Sequence, residues 1–108
     1  MGTPELGKLQ LAVLMAVATL GDEAYGLGVR REVSGVRGRD YSVGAIYTTL
    51  SRLEEKGLLE SWETEPRPER GGRSRRQYEL TAAGRSALRE ARRVAARLWD
   101  LDPGVESA

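Results

Sequence analysis

Cysteine and histidine are both absent from this sequence of 108 residues. The chain therefore lacks the side chains that most often act as nucleophile, general base or ligand of zinc and copper. Disulfide bonds are also excluded, which is typical of a reducing compartment, and we expect a cytoplasmic protein. No pair of acidic residues accompanies a recognisable nucleophile or a glycine-rich phosphate loop. These absences argue against an enzyme and predict neither a metal nor another cofactor.

A long hydrophobic run is missing as well. The longest one, LAVLMAVATL at residues 11–20, has half of the roughly 20 residues that a membrane-spanning helix needs. It also lacks the positively charged start and the cleavage site of a secretory signal. We therefore expect no membrane as a partner.

Neither sign of charge is in clear excess over the whole chain, because 17 basic residues accompany 16 acidic ones. Basic residues are nevertheless concentrated in PRPERGGRSRR, residues 66–76, beside the single acid Glu69. A local basic patch is the electrostatic footprint of a protein that binds nucleic acid. The alternative is a solvated loop without a ligand. The arginines of this segment are Arg67, Arg70, Arg73, Arg75 and Arg76.

Apolar residues at spacings of three and four predict three helices in the first half of the chain. The first covers residues 5–21, and we expect its apolar second half to be enclosed. The second falls within residues 22–38 and is weakened by its glycines. The third begins at Ser42, whose hydroxyl can cap free amides, and Gly57 ends it. Its predicted core side consists of Val43, Ile46, Leu50 and Leu53.

Two runs that alternate apolar and polar residues, 58–65 and 75–81, predict a β-hairpin with the basic segment at its tip. A last amphipathic helix opens at Thr81. The order of helix, helix, helix, strand, strand, helix is that of a winged helix-turn-helix. The sequence therefore predicts a mainly α fold with a small β-hairpin, in the α+β class.

The outer face of the third helix is rich in small and hydroxyl-bearing residues. Gly44, Thr48, Ser51 and Glu55 centre on it. Hydroxyl and guanidinium groups can touch base edges and phosphates, whereas a face rich in glutamate would be repelled by DNA. In a winged helix-turn-helix this helix enters the major groove and the hairpin reaches the neighbouring backbone. Tyr47, which flanks the face, has an alternative interpretation as a half-buried aromatic at the edge of the core.

Several short motifs follow one another along the chain: Tyr25-Gly26, SVGAIYTTL at 42–50, RLE at 52–54, KGL at 56–58, GRSRRQY at 72–78, and Leu80-Thr81 with Gly84. Together they resemble the PadR-like transcriptional regulators over roughly residues 6–90. Several motifs in the right order are much more specific than any one of them alone.

The resemblance implies a homodimeric repressor that binds an operator in double-stranded DNA. The single C-terminal helix is similar to that of the short subfamily. The family often has proline where this chain has Val43, which lacks the preset helical backbone of proline. The outer face of the third helix and the resemblance together imply DNA contacts by Ser42, Gly44, Ala45, Tyr47, Thr48, Ser51, Arg52, Arg73, Arg75 and Arg76.

Dimerisation is predicted from the apolar stripe of the last helix and from the resemblance, in which the C-terminal helix packs with the first helix of the partner. The expected interface residues are Leu9, Val13, Leu88, Ala91, Ala95, Leu98 and Trp99. The corresponding division of the chain is a DNA-binding domain at 1–81, a dimerisation helix at 82–101 and a flexible tail at 102–108.

Trp99 is also a candidate effector site. In multidrug-sensing members of the short subfamily, a tryptophan of the C-terminal helix and its symmetry mate line a hydrophobic pore that stacks flat aromatic compounds. The alternative is that Trp99 only packs in the dimer interface. Trp62 is expected to cover the sheet, and Tyr25 and Tyr78 are expected to be structural.

The sequence thus predicts a sequence-specific transcriptional regulator, a homodimeric repressor that a small molecule or another effector releases from DNA. The alternative is a winged-helix adaptor that binds protein and not DNA. Such an adaptor would need an exposed apolar or acidic face on its third helix, which this sequence lacks.

Overall fold

The computed structural model describes residues 6–65 and 75–101, with side chains described as far as Asp100. Arg67, Arg70, Arg73 and the tail at 102–108 lie outside the described residues. The elements are α1 (Lys8–Leu20), a 3-10 turn (Gly21–Glu23), α2 (Gly26–Arg37), α3 (Val43–Glu55), β1 (Leu59–Glu63), β2 (Arg76–Leu80) and α4 (Ala82–Leu101). This order confirms the predicted mainly α fold with one β-hairpin.

The helix ends follow from local chemistry. Ser42 caps α3, since its Oγ accepts a hydrogen bond of 3.0 Å from the amide of Ala45. Thr81 does the same for α4, where its Oγ1 accepts from the amide of Gly84 at 3.0 Å. Gly21 and Gly57 adopt positive φ angles of 55° and 78°, which glycine reaches without the steric penalty of a Cβ. The chain can therefore turn directly after α1 and after α3.

The core lies between α3 and the three elements packed on it, which are α1, α2 and β1. Ile46, Leu50 and Leu53 are fully buried, and burial of each such side chain contributes about 1.5–3 kcal/mol. The prediction for Val43 was wrong, because this residue is 44% exposed at the first position of α3. The buried apolar residues are Val13, Leu14, Ala16, Val17, Ala24, Val29, Val33, Ile46, Leu50, Leu53, Leu58, Leu59, Tyr78, Leu80 and Ala87.

The sequence predicted that the second half of α1 is enclosed, but in the structure one side of it is exposed. Met15 is 51% exposed, and Ala18 and Thr19 are exposed beside it. The reason is the course of α4, which buries Ala87 in its second turn but is exposed from Arg92 to Asp100. Within residues 6–65 and 75–101, no helix combines the length and apolar character that crossing a membrane requires.

The hairpin is antiparallel, with Leu59 opposite Leu80 at its base and Glu63 opposite Arg76 toward its tip. It is also bonded to the connection between α1 and α2. The amide of Tyr78 donates to the carbonyl of Ala24 at 2.9 Å, and the Nε2 of Gln77 donates to the carbonyl of Gly21 at 3.0 Å. Strand β2 is therefore held from both sides.

Candidate nucleic-acid interface

The outer face of α3 is exposed as the helical pattern predicted. Gly44, Thr48, Ser51 and Arg52 are exposed, and Ala45 is half-buried beside them. The neighbouring Thr49 is buried and donates its hydroxyl to the carbonyl of Ala45 at 2.8 Å. The face therefore presents backbone, hydroxyl and guanidinium groups to solvent, all of which can contact base edges or phosphates.

Tyr47 is 39% exposed, and its ring lies against the start of α2. A Cβ added at Gly26 would come within 2.1 Å of the Tyr47 hydroxyl oxygen. Glycine at position 26 is thus what allows the ring to approach the α2 backbone. Tyr47 is both a packing residue and part of the exposed surface, so the two interpretations of this residue do not exclude each other.

Arg75 and Arg76 are exposed at the start of β2, and each has a partner that fixes its direction. The Cζ of Arg75 lies 3.8 Å from the ring centroid of Tyr25, a cation–π contact. The Nη1 of Arg76 donates to the Oγ of Ser61 at 2.9 Å, and this hydroxyl donates to a carboxylate oxygen of Glu54 at 2.9 Å. The chain Arg76–Ser61–Glu54 connects β2, β1 and the end of α3.

Tyr78 has the structural role that the sequence indicated. It is 4% exposed, and burial raises the pKa of its hydroxyl above the ordinary value of 10.0. The nearby Tyr47 and Glu54 raise this pKa further, while Arg76 lowers it. The neutral form of the Tyr78 hydroxyl is therefore favoured at this buried position in β2.

Sequence reasoning missed the arginines of α2 and of the turn that follows it. The Nε of Arg30 donates to the carbonyl of Tyr41, and the Cζ atoms of Arg37 and Arg39 lie 5.9 and 5.0 Å from the Tyr41 ring centroid. These contacts brace the turn that leads into α3. The fourth arginine of this segment, Arg31, lines an open groove of about 610 Å³ between α2, Tyr47 and β2. The signal was present in the sequence RREVSGVRGR, residues 30–39, which has four arginines and one acid.

A second candidate surface lies between α1 and α4. A mostly apolar groove of about 310 Å³ is lined by Met15, Ala18 and Leu11 from α1 and by Leu88, Ala91 and Ala95 from α4. The same side of α4 continues to Leu98 and Trp99, which are 60% and 52% exposed.

The residues expected at a dimer interface divide into three groups in the structure: half-buried, exposed and fully buried. Leu9, Leu88 and Ala91 are half-buried, and Ala95, Leu98 and Trp99 are exposed. Val13 is 0% exposed, so no part of its side chain is available to a partner. Met15, Ala18 and Thr19, in the second half of α1, are exposed and were not among the expected interface residues. Trp62 is 43% exposed on the hairpin and therefore only partly covers it.

Residues 13–90 match the sequence model of the transcriptional regulator PadR-like family. The chain is 44% identical over 73 residues to transcriptional regulator Rv3488 of Mycobacterium tuberculosis, a match that covers 68% of this chain and 64% of that relative. The structure is similar to that of RosR from H. salinarum, with a TM-score of 0.70, 27% identity and coverage of 98% and 92% of the two chains. It is also similar to a PadR family regulator from Eggerthella lenta, with a TM-score of 0.62, 28% identity and coverage of 93% and 84%.

Proposed function

The chain belongs to the PadR-like family of transcriptional regulators, and we propose that within this family it is a homodimeric repressor of a pseudo-palindromic operator, released by a hydrophobic effector. Regulators of this family bind DNA and are not enzymes. The observation that carries the proposal is the exposed face of α3, which presents Thr48, Ser51 and Arg52. Tyr47 at the border of this face lines one groove with Arg75 and Arg76.

In the proposed complex α3 lies in the major groove. Its exposed hydroxyls and Arg52 contact base edges, and Gly44 and Ala45 let the backbone of α3 come close to the duplex. The DNA phosphates beside the major groove are contacted by Arg73, Arg75 and Arg76. Ser42 lies at the start of the helix, where its Oγ accepts the capping hydrogen bond, so its O–H remains available to donate to a phosphate.

The test is selection of bound sequences from a random pool of duplex DNA by the purified protein. We expect a two-fold symmetric motif whose half-sites are about one helical turn, ~34 Å, apart. The affinity should fall steeply with salt, because bound arginines release counterions from the phosphates. A folded protein that enriches no sequence and binds no duplex at low salt would contradict the proposal and favour an adaptor that binds protein.

The wing arginines are expected to contribute affinity without sequence preference. Replacement of Arg73, Arg75 and Arg76 by Ala should make the plot of log K against log salt shallower by about 0.9 for each phosphate that the protein no longer neutralises. The decrease in affinity should be similar for the operator and for an unrelated duplex. The matched control is Arg89→Ala, which removes one exposed arginine of α4. An unchanged salt slope in the triple variant would disprove this role.

The proposed dimer uses the groove between α1 and α4 and the exposed second half of α4. A helix of 20 residues is about 30 Å long, and only its first part packs on its own chain. An exposed apolar stripe of this kind is typical of a surface that a partner covers. The proposal therefore treats residues 1–81 as the DNA-binding domain and 82–101 as the dimerisation helix, with Met15, Ala18 and Thr19 added to the interface and Val13 omitted.

The proposed effector site is Trp99, which is half exposed at the far end of the same stripe. In the Trp62→Phe background Trp99 is the only tryptophan, since the chain has two. We expect planar aromatic compounds to quench its fluorescence in a saturable way and to weaken operator binding, because their rings can stack on the indole. If a broad panel of such compounds neither quenches nor weakens DNA binding in a folded dimer, Trp99 is an interface residue alone.

A further inference from the structure

The groove between α2, Tyr47 and β2 brings Arg31 of α2 together with Arg75, whose ring partner is Tyr25. We infer that this groove holds one phosphodiester group of the DNA backbone, bound by Arg31 and Arg75, and that the ring of Tyr25 positions Arg75 for this contact. The inference rests on the proposed function, since it specifies which part of the DNA the groove binds.

The place and charge of the groove fit a phosphodiester. Tyr47, which borders the outer face of α3, also lines the groove. The groove is therefore adjacent to the face on which the proposed duplex lies. The guanidinium groups of Arg31, Arg75 and Arg76 line it together with two carboxylates, those of Glu23 and Glu32. The lining therefore has an excess of one positive charge, which a phosphodiester with its single negative charge balances. A terminal phosphate carries about 1.5 to 2 negative charges and matches less well.

Tyr25 gives Arg75 a fixed direction. The guanidinium carbon lies 3.8 Å from the ring centroid, so a face of the guanidinium is covered while the N–H donors at its edge remain available. Tyr25 itself is fixed, because it forms a backbone bridge with Gln77 of β2. A preorganised guanidinium loses little conformational entropy when it binds a phosphate through two parallel hydrogen bonds.

Arg31 approaches the same groove from α2. Its neighbour Arg30 is bonded to the carbonyl of Tyr41, whereas within residues 6–65 and 75–101 the Arg31 side chain has no hydrogen bond or ion pair. It is exposed and lines the groove. Two guanidinium groups from different elements thus line a single groove beside α3. One is stacked on an aromatic ring, and the other forms no side-chain hydrogen bond or ion pair with the described residues.

The test is a coupling measurement on the operator, with single phosphodiesters replaced in turn by neutral methylphosphonates. For the wild-type protein, a methylphosphonate at one position in each half-site should weaken binding. The same replacement should not weaken binding by Arg31→Ala. We expect Arg31→Ala to bind about tenfold more weakly to the operator and to unrelated duplexes alike. In Tyr25→Leu, the methylphosphonate at the same position should no longer weaken binding. In Tyr25→Phe, which keeps the ring, it should weaken binding as in the wild type. Arg89→Ala is the matched arginine control.

The outcomes separate the inference from the proposed function. If the wild type binds its operator and every methylphosphonate keeps its full effect in Arg31→Ala, the inference is wrong and the proposed function remains. If the wild type binds no duplex, both fail. Inorganic phosphate, titrated into the wild type and Arg31→Ala and followed by NMR of the arginine Nε–H groups, tests the other source of the same chemistry. Saturable binding of phosphate at Arg31 without methylphosphonate coupling would assign the groove to a free anion and overturn the inference.

Discussion

Leu98→Glu is expected to convert the proposed dimer into a monomer. Operator affinity should then fall by about 10²- to 10⁴-fold, which is the typical gain in affinity when two linked modules bind together. Leu98 is 60% exposed on the apolar stripe of α4, and a partner that covers this stripe would bury the new carboxylate without a counter-charge. Sedimentation equilibrium gives the oligomeric state, and titration of the selected operator gives the affinity.

Ala96→Glu is the control for this result. Ala96 is exposed on the same helix but away from the stripe, so the substitution adds the same charge to the same element. It should leave both the dimer and the operator affinity unchanged within a few-fold. A dimer with normal affinity in Leu98→Glu would show that the two copies do not meet through the end of α4.

Gly84→Ala is expected to lower the free energy of unfolding by about 1–3 kcal/mol, the usual cost of overpacking. A Cβ at this position would lie 2.1 Å from the carbonyl oxygen of Leu58 and 3.4 Å from the Cβ of Leu80. Thr81 fixes the same junction by donating its hydroxyl to the carbonyl of Gly57 at 2.6 Å, so α4 cannot simply move away. The melting temperature should fall by roughly 4–8 °C for each kcal/mol.

Gly35→Ala is the matched substitution with the opposite expected sign. Gly35 lies inside α2, and an added Cβ would have no atom within 4 Å. The unfolded chain loses conformational freedom and the helix gains propensity, so stability should rise by about 0.5–1 kcal/mol. Both variants are compared with the wild type by thermal unfolding at one protein concentration, since a dimer melts in a concentration-dependent way. Equal melting temperatures for the two variants would contradict the packing at Gly84.

The elements and their ends were predictable because they depend on neighbours in sequence. Ser42 and Thr81 cap helices through residues three positions later, and Gly21 and Gly57 end helices through their own backbone conformation. The exposed face of α3 was predictable for the same reason, since helical periodicity places Gly44, Thr48 and Ser51 on one side.

The features that were predicted wrongly or missed depend on contacts between segments that are distant in the sequence. Periodicity shows that α1 is apolar on nearly every side, but not that α4 leaves Met15 exposed and Val13 enclosed. The contact of Tyr47 with Gly26 joins residues 21 positions apart, and the stack of Arg75 on Tyr25 joins residues 50 apart. No local pattern contains the information that such pairs meet, so the groove with Arg31 could only be found in three dimensions.

The hydrogen bond from Gln77 to the carbonyl of Gly21 has a mechanical consequence. It ties the first residue of the turn after α1 to the strand that carries Arg76, while α1 itself bears the exposed Met15 and Ala18. A displacement of α1 is therefore expected to carry the hairpin with it, since this bond and that of Tyr78 to Ala24 connect the two. In a dimer, an effector that tilts the two copies would change the distance between their hairpins and leave each copy intact. A pair of spin labels on the two hairpins would measure that distance directly.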